Sequence, residues 1–235
     1  MKIQELSTSN SSFTKDSDNY FQVSIGPDGN GSAIVRFLPP LPDEEFPFVQ
    51  IYNHAFQGQG GKWFIDNCPT TLKRPCPVCE ANNLLYRSGD EAQKKLASSR
   101  KRKMYYVSNL LVVKDPRTPA NEGKVFLFKY GVRIFDKLKE MLLPEFDDHE
   151  PVDIFDPQEG ANFRLRVTKT GSFPEYDRST FDQPSPLGDD KMIAEVLRQS
   201  SSLEAIIHPN NFKLYEELKS KLETIVGQTS GATAA

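Results

Sequence analysis

One histidine and three cysteines, His54, Cys68, Cys76 and Cys79, constrain this chain more than any other feature. Cys76-Pro-Val-Cys79 has the two-residue gap that lets two thiolates from one turn reach a tetrahedral ion at about 2.3 Å. His54 and Cys68 complete a His-x13-Cys-x7-Cys-x2-Cys set that uses every cysteine present. An odd cysteine count, in a chain whose N-terminus lacks the apolar stretch and cleavage site of a secretory signal, argues against a disulfide framework and for a cytoplasmic metal site. The set predicts one structural zinc ion, because four protein ligands leave no position open for water and hence none for metal-assisted catalysis. Such an ion contributes on the order of 10 kcal/mol or more to the segment that carries it. The loop-rich stretch 56–75 needs that support.

Around this site the pattern is mainly β. Tyr20–Ile25 and Ser32–Leu38 are β-branched and aromatic runs on either side of a glycine-rich loop, Gly26–Gly31, and predict a hairpin. Pro47–Asn53 predicts a strand that delivers His54 at its end. Further strands are expected at Met104–Lys114, Lys124–Tyr130 and Asn162–Thr168, the last alternating charged and apolar residues. Helices are expected at Pro77–Tyr86 and Asp90–Ala97, with Gly89 as a stop between them. Near the C-terminus, Tyr215, Leu218, Leu222 and Ile225 repeat at helical spacing, with Asn211 as the expected N-cap and Gly227 as the stop. The expected organisation is a flexible arm over 1–19, a core over 20–227 with a zinc subdomain at about 54–100, and a tether over 228–235. No apolar run approaches the roughly 20 residues of a membrane span.

Net charge is −3 over 235 residues, yet the distribution is uneven. Arg100–Arg133 holds nine basic residues against two acids, and Asp136–Glu159 holds nine acids against two lysines. The basic stretch is interleaved with rings. Arg100-Lys-Arg-Lys103 runs into Tyr105-Tyr106, and Phe126, Phe128, Lys129, Tyr130, Arg133 and Phe135 follow. Cations that track phosphates and aromatic faces that stack bases are the two requirements for gripping a single strand of nucleic acid. On a strand, Phe126, Phe128 and Tyr130 share one side. Periodicity does not say whether that side is core or surface.

Two other readings fit parts of the sequence. Pro75-Cys76-Pro-Val-Cys79 matches half of a zinc nucleobase deaminase motif, but the other half needs His-x-Glu and here it is His54-Ala-Phe56. A zinc-stabilised adaptor that meets protein partners through the acidic stretch Glu145–Asp156 is the second.

Several motifs, in order, resemble the gene thirty-two type helix-destabilising proteins of T-even and related phages. They are Ile34-Val-Arg-Phe-Leu-Pro39, Gly61-Lys-Trp63, the His-Cys-Cys-Cys set, Leu111-Val-Val-Lys-Asp-Pro116, Asn121-Glu-Gly-Lys-Val-Phe126 and Glu159-Gly-Ala-Asn-Phe163. The resemblance spans roughly 29–227. It implies an α+β, mainly β fold: an OB-type Greek-key barrel with an inserted zinc subdomain, C-terminal helices and a basic, aromatic cleft. It also implies a non-enzymatic, sequence-nonspecific single-stranded-DNA-binding protein of phage replication, recombination and repair, working in the cytoplasm of the infected host. Phage replication and recombination proteins, and further copies along the DNA, would be its partners. The positions similar to the family's DNA-facing residues are Arg36, Trp63, Tyr86, Arg102, Tyr106, Phe128, Lys129, Arg133, Phe135, Phe173 and Tyr176. Phe128 stands where relatives carry Tyr and Phe135 where they carry Trp, so both positions keep an aromatic face. The family's basic N-terminal arm has no counterpart in 1–19, where Lys2 and Lys15 are the cations, nor its acidic tail in 228–235.

Overall fold

The computed structural model describes residues 19–146, 149–170 and 173–227. The expected arm, apart from Asn19, and the expected tether lie outside the described residues. Along the chain come β1 (Asn30–Phe37), β2 (Val49–Gln57), β3 (Trp63–Asn67), α1 (Pro77–Arg87), α2 (Glu91–Ser99), β4 (Lys103–Lys114) and β5 (Val125–Tyr130). After these follow α3 (Val132–Leu142), β6 (Ala161–Thr170), β7 (Phe173–Glu175), β8 (Thr180–Pro184), α4 (Asp190–Leu197) and α5 (Tyr215–Val226). The fold is therefore mixed α and β, and the chain divides into two compact units. Among the described residues no helix is long and apolar enough to cross a membrane.

Among the described residues, the larger unit gathers 19–49 and Tyr105–Ile206. Its sheet is antiparallel: β4 pairs with β5 and β1, β1 with β6, and β6 with β7 and β8. Register shifts at Ile34/Val35 and at Ala161/Phe163 bend strands that would otherwise lie flat, so the sheet curls. Its core is aromatic. The Phe37 ring lies 5.7–6.3 Å from those of Phe128, Tyr130, Phe155 and Phe163, and burial of each such side chain contributes about 1.5–3 kcal/mol. Strand β6 alternates as its sequence predicts, with Ala161, Phe163, Leu165 and Val167 inward and Arg164 and Arg166 outward.

The expected hairpin does not form. Both edges of β1 are taken, by β4 and β6, so Tyr20–Ile25 has no edge to pair with. That segment runs irregularly and touches β5 through a Tyr20–Leu127 bridge. The glycine-rich turn itself is present, closed by the Gly26 N–H on the Asn30 carbonyl at 2.9 Å with Gly29 at φ 74°. Two of the motifs, Leu111–Pro116 and Asn121–Phe126, meet in one loop after β4. There the buried Asp115 accepts the Thr118 N–H at 3.0 Å and the Asn121 amide at 2.9 Å.

The smaller unit joins Gln50–Met104 to the segment from Ile207. β2 and β3 form a hairpin, and α1 and α2 follow within one or two residues of the expected helical bounds. Asp90 caps α2 by accepting the Ala92 N–H at 2.7 Å, and Gly89, at φ 80°, supplies the break before it. The helix α5 belongs to this unit. Its Leu218, Leu222 and Ile225 pack with Phe56, Phe64, Cys68, Cys76 and Val78 in one buried cluster. Tyr215 donates to Glu80 at 2.6 Å, and Lys221 and Lys213 reach the buried Asp66 at 2.5 and 2.8 Å. Gly58 allows the close approach, since a side chain there would sit 2.3 Å from the Ile225 carbonyl. The N-cap of α5 is Leu214, not Asn211: Glu217 reaches back to the Leu214 N–H at 3.0 Å, while Asn211 closes a short turn at Pro209–Asn211.

Candidate metal centre and nucleic-acid interface

His54 lies inside β2 rather than at its end, and it is 1% exposed. Cys68 follows β3 directly and is held by its N–H on the Tyr52 carbonyl at 2.8 Å. Cys76 is the N-cap of α1, Pro77 is the first helical residue, and Cys79 lies in the first turn. The N-terminal end of a helix is the positive end of its dipole, a favourable field for negative sulfur.

The four ligand atoms all lie within 4.8 Å of one another. His54 Nε2 is 3.6 Å from Cys76 Sγ and 3.5 Å from Cys79 Sγ, and Cys68 Sγ is 3.6 Å from Cys79 Sγ. A tetrahedral ion with bonds of about 2.3 Å has ligand-to-ligand edges of about 3.8 Å. The donor set therefore fits a metal ion. Second contacts orient it as well. His54 Nδ1 lies 3.1 Å from the Arg100 carbonyl, which fixes the proton on Nδ1 and leaves Nε2 as the donor atom. The Asn82 amide donates to the same carbonyl at 3.1 Å.

Burial lowers the His54 pKa, but hydrogen bonds and negative charge from Cys68 and Cys76 outweigh it and raise it to about 9. Cys68 and Cys76 push the Cys79 thiol up, so ionising all three sulfurs together calls for a neutralising cation. Glu80, the acid next to the cysteine pair, is engaged by Tyr215 and by its place in α1.

The expected DNA-facing residues divide between the two units. In the smaller one, Trp63 on β3 is 43% exposed and Tyr86 on α1 is 41% exposed. Arg102 is exposed just before β4, with its guanidinium 4.1 Å from the Tyr52 ring centroid and bonded to the Thr70 hydroxyl. Tyr52 and Thr70 were not expected. Their signal was weak, since one lies mid-strand beside His54 and the other in a short turn.

In the larger unit, Lys129 is exposed on β5, with its ammonium 3.7 Å from the Tyr105 ring centroid. Although much of this side chain reaches solvent, the ammonium sheds water against that ring, and desolvation lowers its pKa to about 8. Phe135 on α3 is half-buried and lies parallel to Tyr106, centroids 3.8 Å apart, with Phe48 edge-on at 5.1 Å. Arg133, two residues earlier on the same helix, pairs with Asp177 at 3.2 Å, and Lys137 donates to the Asp177 carbonyl at 3.1 Å. These bonds hold the N-terminal half of α3 beside half-buried Tyr176, whose pKa is raised by burial. The backbone of Phe173 lies in β7, but its side chain is outside the described residues.

Three expectations are corrected. Arg36 is fully buried and donates to the Asp156 carbonyl at 2.9 Å, so it presents no cation to a phosphate. Phe128 is 4% exposed between Phe21 and Phe37, because its face of β5 is the core face. Tyr106 is 6% exposed and backs Phe135 instead of offering a face of its own.

Comparison with known proteins matches residues 29–226 to a family described as gp32 DNA binding protein like. The single-stranded DNA-binding protein of Enterobacteria phage T2 is 36% identical over 242 residues, covering 100% of this chain and 78% of that protein. The protein of the same name from Enterobacteria phage T4 is 37% identical over 238 residues, covering 96% and 77%. One from Escherichia phage SV14 is 33% identical over 94 residues, 38% of this chain and 82% of that protein. This is a family of DNA-binding proteins, not of enzymes, so the deaminase reading falls. With the match running through both compact units and the relatives aligned along essentially the whole chain, this chain belongs to the gp32 DNA binding protein like family.

Proposed function

We propose that this chain binds single-stranded DNA without sequence preference in phage replication, recombination and repair, in the cytoplasm of the infected host. The observation that carries the reading is that each unit carries exposed cations together with rings that are exposed or half-buried. Trp63 and Tyr86 accompany Arg102 on the smaller; Phe135 and Tyr176 accompany Arg133 and Lys129 on the larger. Rings of this kind stack bases at about 1–3 kcal/mol each, and every base has a face to offer, which is why binding tolerates any sequence. The antiparallel sheet β5-β4-β1-β6-β8 is read as an OB-type barrel. The ion at His54, Cys68, Cys76 and Cys79 is read as one structural zinc, which supplies folding free energy and no chemistry. Replication and recombination proteins of the phage are the partners this reading implies.

Fluorescence anisotropy of labelled oligo-dT, with duplex DNA as competitor, tests it. Three cations that each neutralise a phosphate give a slope of roughly −2 for log affinity against log salt. Salt-independent binding, or equal affinity for duplex, rejects the reading.

A further inference from the structure

Thr70 stands between the metal centre and the cation that the proposed function assigns to DNA. Its hydroxyl lies 3.1 Å from Cys68 Sγ and accepts a hydrogen bond from Arg102 Nη1. The direction of the chain of bonds is fixed by chemistry, because a guanidinium can only donate. The hydroxyl oxygen therefore accepts from Arg102, and its single proton is left for the sulfur. A thiolate held by a metal is a good acceptor for that proton.

The surroundings hold all three residues in place. Thr70 is in the turn Pro69–Leu72, where the Thr71 N–H meets the Cys68 carbonyl at 3.0 Å and the Lys73 N–H meets the Thr70 carbonyl at 3.1 Å. The next residue, Thr71, accepts the Tyr52 N–H at 3.0 Å. Tyr52 also receives the Cys68 N–H on its carbonyl, and its ring lies under the Arg102 guanidinium. The Arg102 head group is thus fixed on one side by a ring and at one end by a hydroxyl, both tied through the backbone to a metal ligand. An exposed arginine otherwise loses rotamer freedom on binding a phosphate, and a head group already held loses less of it.

We propose that Thr70 is a positioning residue, which transmits the state of the metal centre to Arg102 and holds that side chain ready for a phosphate. The proposal rests on the reading of Arg102 as a DNA contact. A structural metal then has a second effect in the folded unit, in that its hold on Cys68 is passed through Thr70 to one identifiable side chain that meets DNA.

The test uses the full chain and four variants: Thr70→Val, Thr70→Ser, Arg102→Ala and the double variant Thr70→Val with Arg102→Ala. Oligo-dT affinity is measured over a salt series. One phosphate contact contributes about 0.7 to the salt slope and about fourfold to affinity at 0.15 M salt. Thr70→Val is expected to weaken binding by up to about that factor, to lower the slope toward that of Arg102→Ala, and to have no further effect in the double variant. Thr70→Ser keeps the hydroxyl and behaves as the parent. Additive losses in the double variant, an unchanged slope in Thr70→Val, or a Thr70→Ser as weak as Thr70→Val overturns the proposal. Substitution with Co2+ gives a readout independent of DNA: the thiolate-to-cobalt absorption shifts in Thr70→Val if the hydroxyl bonds Cys68, and an unshifted band also overturns it. Should Arg102→Ala retain full affinity and slope while the cobalt band shifts, the DNA contact fails and the link to the metal centre stands, so the two failures are told apart.

Discussion

Replacing Leu218 by Ala should weaken metal binding at a site more than a hundred residues away in sequence. Leu218 is 1% exposed and packs in the cluster that contains Cys68 and Cys76. Truncating a buried leucine costs about 2–5 kcal/mol, a transfer cost plus that of the cavity left behind. In a unit that folds only when its ion is bound, folding and binding are one equilibrium. The whole loss then appears as weaker metal affinity. At about 3 kcal/mol, and a factor of ten for every 1.4 kcal/mol, the apparent dissociation constant rises about 150-fold. The assay is competition for Zn2+ against a chromophoric chelator, with Glu223→Ala on the exposed side of α5 as a control expected to move less than about twofold. If Leu218→Ala changes the affinity by less than about fivefold while the rest of the protein melts as before, either the unit is folded without its ion or α5 is not part of it. Either result refutes the coupling argued from the shared core.

Further expectations follow from single residues. The Lys129 pKa of about 8 lies below the ordinary lysine value because its ammonium is desolvated, and a phosphate requires the charged form; oligo-dT affinity at fixed salt should therefore fall as pH rises through 8, and Lys129→Arg, which stays charged, should flatten the profile in an anisotropy titration. Phe135→Ala should lose about 1–3 kcal/mol of binding through the missing stacking face, whereas Phe128→Ala should lose about 3–5 kcal/mol of stability in denaturant melts and leave the binding of the folded fraction unchanged. Asp115→Ala removes a buried carboxylate that accepts the Thr118 N–H and the Asn121 amide; a loss of about 1–3 kcal/mol is expected in the same melts, with no change in salt slope.

What the sequence made legible, and what it concealed, follows from the range of the forces involved. The metal set was readable because four ligand side chains of two uncommon types stand at spacings that tetrahedral geometry accepts, and a spacing is a local property. Helices α1 and α2 were readable for the same reason, since Gly89 and Asp90 encode the break and the cap within two adjacent residues. The stripe on α5 announced a buried face but not what covers it; periodicity gives the face, and only tertiary contact gives the partner. The failed hairpin at Tyr20–Ile25 has the same origin. Its strand propensity was real, but β1 has two edges and both were filled by strands from distant sequence. Phe128 and Phe135 were indistinguishable among aromatic neighbours, because only tertiary contact separates them: the face of β5 that carries Phe128 meets Phe37 and Phe21, while Phe135 lies half-buried on α3.

Arg36 carries that lesson furthest. It sits in Ile34-Val-Arg-Phe-Leu-Pro39, a motif that resembles a DNA-binding family, and a cation in such a motif invites assignment to a phosphate. Yet its Nη2 is spent on the Asp156 carbonyl, and desolvation lowers its pKa against the opposing pull of Asp156. The second motif, Glu159-Gly-Ala-Asn-Phe163, meets it there. A side chain at Gly160 would stand 2.9 Å from Arg36 Nη2 and 2.5 Å from the Asp156 carbonyl, so the glycine is what lets the loop close over the guanidinium. Two motifs more than a hundred residues apart are thus one joint of the scaffold, fastening β1 to the turn before β6. These two kinship motifs secure the sheet, whereas Tyr86, Arg102 and Phe135, proposed to meet DNA, lie outside the motifs that reveal kinship; Trp63, in Gly61-Lys-Trp63, belongs to such a motif and still stands open to a ligand.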